Sequence, residues 1–127
     1  MNVVYEQSFQ FAFEAAHDLA ETVEGQSDHP YARLHGHSFV ATLTLRAERL
    51  APEGWIIDFA DLKAIAAELR GRLDHRLLNT IEGLERPTLE NIASWIFKEA
   101  SRRAPALYKV ELQRPTLNER VAYCAKT

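Results

Sequence analysis

Three of the five histidines have a spacing that could bring them to one metal ion. His35 and His37 flank Gly36, and residues two apart on a strand point to the same face. His17 follows an earlier alternating segment, so a hairpin would bring its ring beside the other two. Three imidazoles that leave one coordination place open form a zinc arrangement used in catalysis. The alternatives are unrelated surface or packing histidines, or a site for iron, cobalt or nickel.

Asp74 and His75 form a second candidate for chemistry, at the end of a predicted helix. An imidazole beside a carboxylate is a common general-base unit because its pKa lies near neutrality. Adjacent residues on a helix do not face each other, so the sequence predicts no direct contact between the two side chains. The alternative is a helix terminus at which His75 satisfies the last carbonyls.

Alternating segments predict the strands that must position these residues. Residues 3–13 and 35–46 alternate apolar and polar side chains, which indicates two half-buried strands. The segment 20–33 between them has no period and is predicted to be a loop. Two shorter alternating segments, 108–113 and 121–123, predict the last two strands.

Two helices are predicted between the strand pairs. Apolar residues recur at helical spacing over 59–73 and 89–103, with Asp58 and Thr88 as N-caps. The order of elements indicates an α+β fold: a four-stranded antiparallel sheet with two helices on one face. The edges of so small a sheet must be covered or paired, and pairing between subunits is one solution.

Composition and charge exclude several classes of protein. The chain has 127 residues and a mass of 14.5 kDa, which fits a single domain over 1–127. A net charge of −3 argues against nucleic acid as a partner, and no apolar run approaches the roughly 18 residues of a membrane span. The single cysteine, Cys124, allows no internal disulfide and suits a reducing compartment. The cytoplasm is therefore the expected location.

Five short segments, spread over residues 13–90, carry a family resemblance. They are FEAAH (13–17), RLHGHSF (33–39), GWIIDFADLK (54–63), LDHRLLN (73–79) and GLERPTLE (83–90). Each is weak alone, but five in order are specific. The chain resembles the family of 6-pyruvoyl-tetrahydropterin synthase and 6-carboxytetrahydropterin synthase, most of all the bacterial carboxytetrahydropterin branch that feeds queuosine synthesis.

The resemblance implies a fold, a metal and a reaction. The fold is the T-fold, whose sheets close a barrel in trimers that are usually doubled to hexamers. The metal is a zinc on His17, His35 and His37. The substrate is 7,8-dihydroneopterin triphosphate, from which the reaction removes the triphosphate and, in the carboxy branch, cleaves the side chain to acetaldehyde. Asp74 and His75 match the family's proton-shuttling pair, completed at a subunit interface.

The chain departs from the family pattern at the catalytic cysteine. That cysteine precedes the His-Gly-His motif by four residues, where this chain has Tyr31. A tyrosine is a poorer base than a cysteine near neutral pH. It could act if the zinc or a neighbouring cation lowered its pKa.

A second departure concerns recognition of the pterin. The family's glutamate, which accepts hydrogen bonds from the pterin, is replaced by Arg114, and arginine carries donors only. Glu119, in the following turn, could take over the role, whereas Glu111 has the wrong strand parity. Thr88 matches a family position that helps to hold the pterin.

Three functions are therefore compared. The first is a zinc-dependent pterin lyase of the 6-carboxytetrahydropterin synthase type. The second is a diverged member that acts on another pterin-like or acidic compound. The third is a catalytically dead, metal-containing oligomer that binds a small molecule.

Overall fold

Five strands and two α-helices are present in the part of the chain that the computed structural model describes, residues 2–20, 22–25 and 28–126. Short 3-10 turns at Pro30–Ala32, Leu78–Thr80 and Pro115–Leu117 connect them. The elements in chain order are β1 (Tyr5–His17), β2 (His35–Ala47), α1 (Phe59–Leu73), β3 (Arg76–Leu77), α2 (Leu89–Ser101), β4 (Leu107–Arg114) and β5 (Glu119–Cys124).

The sheet has five strands in the order β3-β1-β2-β4-β5, so the prediction of four strands is wrong by one. The four predicted strands pair antiparallel, as expected. The additional strand, β3, contains only Arg76–Leu77 and runs parallel to β1. Two residues are too few to produce an alternating pattern, so this strand has no signal in the sequence.

The β1–β2 hairpin brings the candidate metal ligands together. Its register runs unbroken from Tyr5 opposite Ala47 to His17 opposite His35. The predicted hairpin is therefore confirmed, with His17 as the last residue of β1 rather than just beyond it. Gly36 lies close to β1 here: a Cβ at this position would lie 3.3 Å from the Ala15 carbonyl oxygen.

Both helices pack against the same apolar face of the sheet. The helix α1 has the predicted bounds, and α2 ends two residues earlier than predicted. Asp58 caps α1 by accepting the Ala60 N–H, and Thr88 caps α2 by accepting the Asn91 N–H. The largest fully buried side chains include Phe13, Phe39, Leu43, Leu62, Leu73, Ile92 and Ile96. No helix among the described residues has the length and apolar character needed to cross a bilayer.

Gln7 ties β1 to the segment that leads into α1. Its side-chain nitrogen donates to the Ile57 carbonyl over 2.9 Å, and its oxygen accepts the Ile57 N–H over 3.2 Å. The side chain thus pairs with both backbone groups of one residue, although it lies on the otherwise apolar face of the strand.

We expect Gln7→Ala to lower the free energy of unfolding by about 2–3 kcal/mol, because two backbone groups of Ile57 lose their partners. Urea denaturation measures this difference. Gln10→Ala, at an exposed position of the same strand, is the control and should change stability by less than about 0.5 kcal/mol. Equal effects of the two substitutions would contradict a stabilising role of the Gln7 hydrogen bonds to Ile57.

Candidate active site

Three imidazoles converge at the place where β1 ends and β2 begins. His17, His35 and His37 each offer one nitrogen, and these nitrogens all lie within 4.8 Å of one another. His17 is fully buried, and the other two are half-buried. The three residues predicted from spacing therefore form one cluster, which we call the histidine triad.

Backbone carbonyls fix the tautomers of two rings in the triad. The Nδ1 atom of His17 lies 2.9 Å from the Pro87 carbonyl oxygen, and the Nδ1 atom of His35 lies 2.7 Å from that of Arg33. A carbonyl oxygen only accepts, so each Nδ1 carries a proton. Both Nε2 atoms consequently present lone pairs, and they face each other over 3.0 Å.

This donor set fits a metal ion. Two imidazole lone pairs at 3.0 Å repel each other unless a cation lies near both. A tetrahedral zinc with nitrogens at 2.0–2.1 Å would hold two of them about 3.3 Å apart, close to the observed separation. Carbonyl acceptors on the opposite ring nitrogens are the usual partners of metal-bound histidines.

The protonation of the triad also suits metal binding. Burial lowers the pKa of His17 to about 4, and the neighbouring rings and Arg114 add to the shift. Burial likewise lowers the pKa of His37 to about 4, with the Arg114 guanidinium as the next cause. Both rings are therefore neutral near pH 7, the form in which imidazole binds metals.

We expect the metal-free protein to lose stability as the pH falls from 6.5 towards 4. Over this interval the unfolded chain protonates histidines with an ordinary pKa of 6.5, whereas folded His17 and His37 stay neutral until about pH 4. The unfolded state binds more protons, so acid favours unfolding. Melting temperatures in the presence of chelator should fall less steeply for His37→Gln than for the unsubstituted protein; equal slopes would contradict the prediction.

Asp74 and His75 are in direct contact, so the prediction that they do not touch is wrong. The His75 Nδ1 atom lies 3.0 Å from Asp74 Oδ2. Asp74 is the extended C-cap of α1, and His75 has a left-handed backbone with φ of 58°. The prediction assumed helical geometry for both residues, and the chain leaves the helix at this point.

The end of β1 holds this pair in place. The Glu14 N–H donates to Asp74 Oδ1 over 2.8 Å, and the His75 N–H donates to the Glu14 carbonyl over 2.6 Å. The Glu14 N–H bond is the main cause of a lowered Asp74 pKa, followed by the hydrogen bond from His75, with Arg70 also contributing. Asp74 is therefore ionised at neutral pH and accepts from Nδ1–H, which leaves His75 Nε2 as the basic nitrogen.

One cavity is lined both by His37 of the triad and by His75. It has a volume of about 730 Å³, and its lining includes His37, His75, Glu14, Ser38 and Thr116. The Ser38 hydroxyl lies within hydrogen-bond distance of both Glu14 carboxylate oxygens, at 2.7 and 3.0 Å. A small molecule in this cavity could therefore contact a metal ligand at one side and a general base at the other.

Comparisons with known proteins decide the family. A model of the 6-pyruvoyl tetrahydropterin synthase family matches residues 6–126. The chain belongs to the 6-pyruvoyl tetrahydropterin synthase family. It is 40% identical over 118 residues to a 6-carboxy-5,6,7,8-tetrahydropterin synthase of Synechocystis sp., covering 88% of this chain and 85% of that protein.

Two further proteins are similar to this chain at lower sequence identity. A dihydroneopterin monophosphate aldolase of Pyrococcus furiosus is 34% identical over 107 residues, covering 84% of this chain and 86% of the aldolase. The structure of Caenorhabditis elegans 6-pyruvoyl tetrahydropterin synthase superposes with a TM-score of 0.80 at 25% identity, covering 98% and 97% of the two chains. The fold therefore matches the T-fold expected from the resemblance.

Tyr31, the residue predicted to replace a catalytic cysteine, lies beside the triad. Its ring centroid is 6.2 Å from that of His35 and 4.9 Å from that of His29. Its backbone carbonyl accepts the Leu19 N–H over 2.7 Å. The structure thus places the ring near a candidate metal ligand but shows no hydrogen bond of its hydroxyl among the described residues.

Thr88 immediately precedes α2 and follows a residue that contacts the triad. Its hydroxyl oxygen accepts the Asn91 N–H and caps α2. The preceding residue, Pro87, supplies the carbonyl that orients His17. Thr88 therefore fixes the start of the helix directly behind the triad.

Arg114 and Glu119 lie together beside the triad. They are opposite each other at the end of the β4–β5 pair, so Glu119 begins β5 rather than lying in the turn. Arg114 Nη2 is 2.9 Å from Glu119 Oε1, and Arg114 Nη1 is 3.5 Å from His37 Nε2. Sequence reasoning named both residues but did not place an arginine against a candidate metal ligand.

Other parts of the site had no signal in the sequence. The carbonyls of Pro87 and Arg33 orient two rings, and any residue could supply a carbonyl. Asn79 holds the residue after His17: it accepts the Asp18 N–H over 3.0 Å and donates to the Asp18 carbonyl over 2.9 Å. A lone asparagine in a loop does not reveal so distant a partner.

Proposed function

We propose that the protein is a zinc-dependent lyase of the 6-carboxytetrahydropterin synthase type that acts on 7,8-dihydroneopterin triphosphate. The observation that carries the proposal is the clustering of three imidazoles, one of which, His37, lines the same cavity as His75. The name of the Synechocystis relative, at 40% identity, supports the reaction and its place in pterin chemistry.

The residues have distinct roles in this proposal. The triad would hold the zinc, which supplies a positive charge that polarises a substrate oxygen and eases loss of a proton next to it. His75 Nε2 takes up that proton, and the carboxylate of Asp74 keeps the ring in the tautomer that can do so. Tyr31 is the proposed replacement for the missing thiol, and Thr88 and Glu119 are proposed to hold the pterin.

The proposed assembly is a homo-oligomer, a trimer or hexamer, in which a neighbouring subunit completes the site. The side chain of His75 is 79% exposed, so in a single chain it is open to water. Light scattering measures the subunit number. A single subunit by this measurement would contradict the proposed assembly.

The direct test uses zinc-loaded protein and 7,8-dihydroneopterin triphosphate, with products separated by chromatography. We expect 6-carboxytetrahydropterin, acetaldehyde and released triphosphate, and no product after chelation until zinc is restored. Absence of product from protein with confirmed zinc would refute the lyase assignment.

A second candidate is a diverged family member with another pterin-like or acidic substrate. It is favoured by Tyr31 and Arg114, which replace a thiol and a carboxylate of the family pattern. The Pyrococcus relative, named as an aldolase of dihydroneopterin monophosphate, suggests the monophosphate as a parallel assay. Turnover of the monophosphate but not of the triphosphate would support this candidate. Binding of both compounds without turnover of either would support the third function, a catalytically dead oligomer that binds a small molecule.

A further inference from the structure

Arg114 is a buried cation whose hydrogen-bonding capacity is poorly used. Its side chain is only 10% exposed, yet its Nε atom has no hydrogen-bond partner. The 2.9 Å contact with Glu119 is an ion pair without hydrogen-bond alignment, because the Oε1 atom that makes it also lacks a hydrogen-bond partner. Buried donors normally find an acceptor, so this guanidinium points to a ligand.

The remaining contact of Arg114 disappears when the triad holds a metal. Its Nη1 atom lies 3.5 Å from His37 Nε2, longer than an ordinary hydrogen bond. If Nε2 binds the metal, its lone pair is no longer available. If Nδ1 binds the metal instead, Nε2 carries the proton and cannot accept. In either case Nη1 loses its acceptor.

The local charge then favours an anion. A divalent metal and the guanidinium would place three positive charges close together, and Glu119 offsets one of them. Three imidazoles also leave a coordination place open. An oxygen anion in that place would contact the metal and accept from Arg114 at once, and charge-assisted hydrogen bonds to arginine are among the strongest in proteins.

We propose that Arg114 and the metal together form a binding site for an oxyanion of the substrate, a phosphoryl or a carboxylate group. Arg114 thereby acts as a specificity-determining residue, selecting an anionic substrate where the family pattern has a carboxylate. This inference rests on the metal centre of the proposed function, but it concerns binding and is measured without turnover.

The test uses protein loaded with cobalt(II), whose visible absorption reports on the ligands of the metal. Inorganic phosphate and acetate are titrated separately at neutral pH. We expect phosphate or acetate to change the spectrum, and Arg114→Met to raise the dissociation constant of that anion about 10- to 100-fold. Tighter binding of phosphate assigns the site to a phosphoryl group, and tighter binding of acetate assigns it to a carboxylate.

Three further variants keep the result interpretable. Arg120→Met removes an exposed arginine of β5, 65% exposed and 3.8 Å from Glu111, and should leave both titrations unchanged. Glu119→Gln removes the competing carboxylate and should tighten anion binding. Arg114→Lys keeps the charge without the planar fork and should weaken binding several-fold, which provides a measurement if Arg114→Met does not fold.

Anion binding that is equal in Arg114→Met and the unsubstituted protein would overturn the inference, as would binding of neither anion by the unsubstituted protein. Both results leave the lyase proposal intact if the zinc-loaded protein still turns over. Failure of the triad to bind cobalt would instead refute the metal centre itself, and the oxyanion site with it.

Discussion

Replacing His35 by alanine should lower the affinity for zinc roughly 10²- to 10³-fold and leave the fold intact. Binding energies of about 10–16 kcal/mol for four-ligand zinc sites correspond to about 2.5–4 kcal/mol for each ligand. His35 is a more informative ligand to replace than His17 because it is only half-buried. His17 is fully buried, so its removal would also leave a cavity and the Pro87 carbonyl without a partner.

Competition with a metal-sensitive dye measures the zinc affinity, and circular dichroism checks that the variant is folded. His29→Ala is the matched control: it removes a nearby imidazole whose Nδ1 accepts the Tyr31 N–H and which lies outside the triad. Its affinity should stay within about threefold of the unsubstituted protein. A His35→Ala protein that binds zinc as tightly as this control would refute the triad as the metal site.

The triad could be predicted because it depends on the regular geometry of a hairpin. Alternation with period two identified β1 and β2, and it placed His35 and His37 on one face. The apolar pattern also restricts the register, since a slip by one residue would turn the buried face of β1 to solvent. In the register that keeps this face buried, His17 lies opposite His35.

The contact between Asp74 and His75 could not be predicted because it depends on one irregular backbone angle. A histidine at φ of 58° is uncommon, and nothing in the local sequence indicates it. The bonds that hold this geometry come from Glu14, 60 residues earlier in the chain. The contact of Arg114 with Glu119 could not be predicted either, because it requires β5 to begin at Glu119. The alternating pattern indicated a last strand only over 121–123.

Removing the base should have the second large effect: His75→Ala should lower kcat by about 10²- to 10⁴-fold without changing the zinc content. The side chain contributes a proton acceptor and is 79% exposed in the single chain, so its loss costs little packing. Turnover of 7,8-dihydroneopterin triphosphate and metal analysis measure the two quantities. Unchanged kcat at full zinc content would remove His75 from the mechanism.

Asp74→Asn separates orientation from proton transfer. The amide keeps an oxygen for the Glu14 N–H, but it can present an N–H to His75 Nδ1, which then becomes the acceptor and moves the ring proton to Nε2. A base in the wrong tautomer cannot take a proton, so kcat should again fall by about 10²-fold or more. Asp61→Asn, at an exposed position of α1, should have no such effect.

The double variant Asp74→Asn/His75→Ala decides whether the carboxylate acts only through the imidazole. If Asp74 serves to hold the His75 tautomer, its substitution has nothing left to disturb once the ring is gone. The double variant should then be no slower than His75→Ala alone, because residues that act as a unit do not add. A further loss of tenfold or more would mean that Asp74 contacts the substrate itself, and the positioning role would be wrong.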